Sequence, residues 1–167
     1  MGLAFNADEV LQMAERAETN AAAFYRKAAR LRPSTEHEQI ALLNRLAEME
    51  DRHLATFATM RRELPERMRE ATAFDPYLEA TLYLEHAADT HGGEGSPAAA
   101  EQLTGGETME AVLRLAIGLE RNSILFYLGL QNLVPPKLGQ DKVAAIIAEE
   151  RSHVAALVTE LRQLGNR

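Results

Sequence analysis

Apolar residues recur along this chain in alternating steps of three and four, in four long blocks set apart by prolines and glycines. Val10, Met13, Ala17, Ala21, Phe24, Ala28 and Leu31 trace one face of a first helix. It is expected to start at Asn6, an N-cap residue type, and to end ahead of Pro33. A second helix runs to about Leu64, before Pro65, with Thr35 and Glu38 spaced as a capping box. Its inward seam reads Ile40, Leu43, Leu46, Glu50, His53, Phe57. A third, from about Glu107 to Val134, stops at Pro135-Pro136 and carries two apolar stripes. Val112, Ala116, Leu119, Ser123, Tyr127 and Leu130 form one; Leu113, Ile117, Ile124 and Leu128 form the other. The fourth, about 141–164, has the seam Val143, Ile146, Glu150, His153, Leu157, Leu161, Leu164, with Gly165 as its stop. Four amphipathic helices of this length bury their apolar faces against one another, so the fold class is all-α, a four-helix bundle.

Residues 65–106 break the pattern. Asp75-Pro76 is an N-cap followed by proline at the first helical position, and Gly92-Gly93 is a stop, which predicts a short helix over 76–91 inside a long crossover. The GGEGSP stretch after it has loop composition. A crossover of this length lets the second and third helices run parallel, while the short connections on either side make antiparallel hairpins. A third helix that is apolar on two sides has to be covered on both, by the crossover helix or by a second subunit, so a homodimer through that helix is expected.

The 167 residues suffice for one domain, 1–167, with a sizeable core. The absence of cysteine excludes disulfides, zinc–thiolate sites, iron–sulfur clusters and thiol nucleophiles. A formal charge of −7 argues against a nucleic-acid partner, which needs a basic face. No apolar run is long enough for a bilayer, and MGLAFNADEV lacks the basic and apolar regions of an export signal, so no membrane partner and a cytoplasmic location are expected.

The chemistry lies where charge interrupts the seams. Glu-x-x-His occurs twice, as Glu50/His53 and Glu150/His153, and each copy follows a lone helical glutamate, Glu18 or Glu120. Those glutamates open matching segments, ETNAAAFY and ERNSILFY. Residues three apart share a helix face, so each Glu and His can reach a common ion on the bundle axis. Carboxylate with imidazole suits iron or manganese, and imidazole also suits zinc. Four carboxylates and two neutral imidazoles carry −4, which two divalent ions balance; without them, four like charges in a low-dielectric core would be strongly destabilising. Tyr25 and Tyr127 stand seven residues after Glu18 and Glu120 on the same face. They are candidates to hydrogen-bond a ligand carboxylate of a neighbouring helix, the alternative being ordinary core packing. Glu149 falls beside the seam, Asn20 and Asn122 point away from it, and His37, His86 and His91 lack the framing, which places these histidines at the surface or in loops.

On this six-residue motif the chain resembles the rubrerythrin and bacterioferritin branch of the ferritin-like superfamily, over its four long helices. The resemblance implies an antiparallel ferritin-like bundle with two iron ions at its middle. Glu18 would then be a terminal ligand of one ion and Glu120 of the other, Glu50 and Glu150 would bridge, and His53 and His153 would cap one ion each. Two departures narrow the match. Rubrerythrins usually carry a cysteine-ligated rubredoxin domain, and they commonly have a further glutamate one turn before the third-helix ligand, where this chain has Ile117. No short fifth helix follows the fourth, so the large shell of cage-forming ferritins is not expected. The implied function is that of a rubrerythrin-like di-iron oxidoreductase without rubredoxin, oxidising ferrous iron or reducing peroxide or oxygen and dependent on an external electron donor. The alternatives are an iron storage or delivery protein with incidental redox chemistry, a structural dimeric bundle, and a hydroxylase of an organic substrate.

Overall fold

The computed structural model describes residues 5–70, 86, 93 and 96–166. The helix expected over 76–91 therefore lies outside the described residues, apart from His86, which is exposed; His91 lies outside them as well. Five α-helices are described: α1 (Ala7–Leu31), α2 (His37–Arg62), a short α3 (Pro97–Glu101), α4 (Met109–Gln131) and α5 (Gln140–Gly165). Single turns of 3-10 helix, Glu66–Met68 and Pro136–Leu138, follow α2 and precede α5. No strand occurs among the described residues.

The helix starts follow from their caps. Asn6 Oδ1 accepts from Glu9 N at 2.9 Å while Asn6 N donates to Glu9 Oε2 at 2.9 Å, a reciprocal capping box that opens α1. The box expected from Thr35 and Glu38 does not form. Glu36 N donates to Pro33 O at 2.9 Å, so Thr35 falls inside a turn and Glu36, without a side-chain cap, occupies the N-cap of α2. α4 begins two residues later than its apolar pattern suggested, because Glu107 accepts from Thr104 N, Thr104 Oγ1 and Gly105 N at 2.9, 2.6 and 3.0 Å and is held in the loop. Thr108 then caps α4, accepting from Ala111 N at 3.1 Å.

Contacts at the two ends of the bundle give the helix directions. Phe5 N donates to Leu133 O at 3.1 Å, which brings the start of α1 to the end of α4. At the opposite end, Gly105 packs against Leu31, so α1 and α4 are antiparallel. Gly139, just before α5, packs on Ala7 at the start of α1 and on Met68 beyond the end of α2. It has φ +99°, and a Cβ there would lie 2.5 Å from Ala7 Cβ and 3.2 Å from Met68 Sδ, so only glycine lets these three elements meet. Hence α2 and α4 end at the same end of the bundle and run parallel, which requires the long crossover. Arg61 also fastens α2 to α1, donating to both oxygens of Asp8 at 3.0 and 3.2 Å and to Glu15 at 3.4 Å.

The apolar core is in two parts. One, at the end where α1 starts, gathers Phe5, Leu11, Phe57, Tyr127, Val143 and Ile146. The other, toward the end of α1, gathers Phe24, Tyr25, Leu43, Val112, Leu113 and Leu157. Between them lies a polar layer. On α4 the first stripe, Val112 to Leu130, is buried throughout, and Leu113 and Ile117 of the second stripe are buried within the chain as well. Its later members, Ile124 and Leu128, are only partly covered, and Leu125 beside them is 67% exposed. No helix among the described residues is long and apolar enough to cross a membrane.

Candidate metal centre

Each long helix sends acid into the polar layer from near its midpoint. Glu18 on α1, Glu50 on α2, Glu120 on α4 and Glu150 on α5 are all 0% exposed, and so is His153. His53 is the outlier, its side chain 16% exposed. The seam positions that carry them explain the burial: a residue three or four places from Leu46, Ile117 or Ile146 shares the face those residues bury. The six residues proposed from sequence thus meet in one layer.

They form two overlapping groups of converging donor atoms. Glu18, Glu50, His53 and His153 lie together, and so do Glu120, Glu150 and His153, each set with its donor atoms within 4.8 Å of one another. His153 Nδ1 is 3.2 Å from Glu120 Oε1, 3.4 Å from Glu150 Oε2 and 3.6 Å from Glu50 Oε2, and it makes no hydrogen bond among the described residues. Atoms bound to one ion at 2.0–2.2 Å, with angles between square and tetrahedral, stand about 2.8–3.6 Å apart. The spacing around His153 Nδ1 is therefore that of atoms sharing a cation. Glu50 Oε1, likewise buried, has no hydrogen-bond partner among the described residues. The donor set fits a metal: acidic oxygens and imidazole nitrogens, withdrawn from water, with net negative charge.

Burial pushes the His153 pKa down to about 4, against the opposing pull of the Glu50 carboxylate and with a smaller contribution from His53 in the same direction. The ring is neutral at physiological pH and has a lone pair to offer. The two imidazoles are stacked, with centroids 4.0 Å apart and planes inclined by 27°, and their Nε2 atoms are 3.3 Å apart. His53 Nδ1 lies 3.4 Å from Glu50 Oε2. Glu50 therefore touches both histidines, and Glu150 groups with Glu120 and His153.

Tyr25 and Tyr127 are both buried, on opposite sides of the polar layer, each ring packed beside its neighbouring phenylalanine at 5.2 and 5.5 Å between centroids. His37 is exposed, Glu149 is half-buried at the edge of α5, Asn20 is half-buried and Asn122 exposed. Sequence reading passed over Ser123, which it counted only as part of an apolar stripe. Ser123 is a buried polar residue three places after Glu120, and the signal that could have found it is the recurrence of Glu-x-x-His spacing as Glu-x-x-Ser.

Neither a protein-family model nor a curated protein sequence matches the chain. Among solved structures, the crystal structure of a Thermotoga maritima protein described as ferritin-like and diiron-carboxylate superposes with a TM-score of 0.55 at 20% identity. The match covers 97% of this chain and 98% of that one. At this identity the likeness is one of fold: the chain has the helical-bundle fold of that ferritin-like protein.

Proposed function

We propose that this chain is a di-iron carboxylate oxidoreductase of the rubrerythrin-like type. The observation that carries the reading is the ring of fully buried carboxylate oxygens at 3.2–3.6 Å around the neutral His153 Nδ1. Buried anionic oxygens crowded around a buried ring nitrogen, with no hydrogen bond to it among the described residues, are unfavourable unless a cation stands among them. The ferritin-like neighbour, itself described as a diiron-carboxylate protein, supports iron in pairs.

Within this reading Glu18, Glu50, His53 and His153 would hold one ion and Glu120, Glu150 and His153 would stand around the other, with Glu50 within reach of both histidines. Bound as a pair, ferrous ions supply two electrons, which with two protons reduce hydrogen peroxide to two water molecules. The chain's part is to hold four carboxylates out of water, where they can accept and release those protons, and to keep His153 unprotonated. His53, the one donor residue that reaches the surface, marks the side on which a small oxidant enters. An external donor returns the electrons.

Anaerobic loading with ferrous iron, elemental analysis, and addition of peroxide under a reductant test the reading. Two irons per chain, multiple turnovers and loss of both in Glu50→Ala are expected. Two irons oxidised once without further turnover would make the protein an iron carrier. No bound metal would overturn the site itself.

A further inference from the structure

Ser123 is 1% exposed, and its Oγ has no hydrogen-bond partner among the described residues. A hydroxyl inside a helix ordinarily donates to the carbonyl four residues back. Thr19, Thr56 and Thr159 do so, to Glu15, Arg52 and Ala155 at 2.8, 3.0 and 2.9 Å, although all three are exposed and could use water. Ser123 has no such recourse and still does not make the bond. A buried hydroxyl left this way is unfavourable, so something outside the packing of the core has to account for it.

Its register supplies the account. Ser123 follows Glu120 by three residues, as His53 follows Glu50 and His153 follows Glu150. A step of three residues is about 4.5 Å along the helix axis and returns nearly to the same face. In the repeated frame the counterpart of Ser123 on α1 is Ala21, also buried, so only the α4 side of the layer offers a hydroxyl at this position. Six side chains do not fill the coordination of two iron-type cations, which leaves positions for small exogenous ligands.

We propose that Ser123 is a hydrogen-bonding residue of the metal centre and receives a small exogenous anion, of the hydroxide or azide class, on the side served by Glu120, Glu150 and His153. The hydroxyl donates to the anion and can accept from its protonated form, holding the ligand in one orientation without adding charge. This inference rests on the metal reading above.

The test uses the full chain as wild type, Ser123→Ala and Ser123→Thr, each loaded with iron and oxidised, with azide as the probe. Equal iron content is expected in all three. The dissociation constant for azide, read from the visible absorbance of the adduct, should rise about tenfold or more in Ser123→Ala and recover in Ser123→Thr. Metal-free Ser123→Ala should melt no lower than metal-free wild type, since it removes a buried hydroxyl that has no partner. Unchanged azide affinity in Ser123→Ala overturns the proposal, and so does a metal-free Ser123→Ala that melts clearly lower, which would assign the hydroxyl a structural bond. If wild type takes up no iron, the metal reading fails and carries this one with it. A loaded wild type with an indifferent Ser123 sinks this inference alone.

Discussion

His153 shows how burial selects a protonation state. With its pKa lowered from 6.5 to about 4 in the fold, its contribution to metal-free stability is fully present above pH 6.5. It is lost as the pH falls toward 4, because the unfolded chain takes up the proton first. The loss amounts to about 3 kcal/mol. Urea unfolding of metal-free wild type and His153→Gln at pH 7 and pH 4.5 should show wild type losing more stability by a large part of that amount. Parallel pH profiles would remove the argument that burial holds this ring neutral. At this scale the sequence was informative for Glu18, Glu50, Glu120, Glu150, His53 and His153, because a charge in an apolar seam stands out. It was silent on Ser123, since a small polar residue in an apolar stripe looks like filler until its hydroxyl is seen to lack a partner.

Helix by helix, the cap decides where the chain turns. Asn6 accepts from Glu9 N and also donates from Nδ2 to Glu70 O at 3.0 Å, so it ties the start of α1 to the beginning of the crossover. Asn6→Ala should lower stability by about 1–2 kcal/mol, whereas Thr35→Ala, at a position that caps nothing, should stay within about 0.5 kcal/mol; denaturant titration distinguishes them. Equal effects would mean that the α2 cap forms in solution. The apolar period located all four long helices, yet could not tell a capping box from a turn of the same composition. In both the Pro33–Glu36 turn and the Thr104–Glu107 loop the choice was made by hydrogen bonds between residues outside the helices, which periodicity does not record.

The molecule as a whole is a core cut in two by an acidic layer. Such a layer opposes folding in the absence of cations and favours it in their presence, since metal binds the folded state. Iron(II) at a hundred times its dissociation constant should add about 2.7 kcal/mol and raise the melting temperature accordingly. Glu50→Gln should separate the two effects. The metal-free variant, relieved of one buried charge, should melt higher than metal-free wild type, and its gain on adding metal should be smaller. Scanning calorimetry with and without chelator reads both, and a melting curve indifferent to metal would refute the site.

The identity of the six carboxylate and imidazole residues of the polar layer, their spacing and the helices that carry them were determined by the sequence alone, because a helix has one period and side chains three apart must share a face. The tertiary structure decided how those faces meet. It brought Glu50 against both histidines, stacked the two imidazoles, and left one helical hydroxyl without a hydrogen bond among the described residues. These are relations between helices joined only through distant loops, and their geometry is set by packing at the ends of the bundle, by contacts such as Gly139 on Ala7 and Met68, which no local pattern encodes.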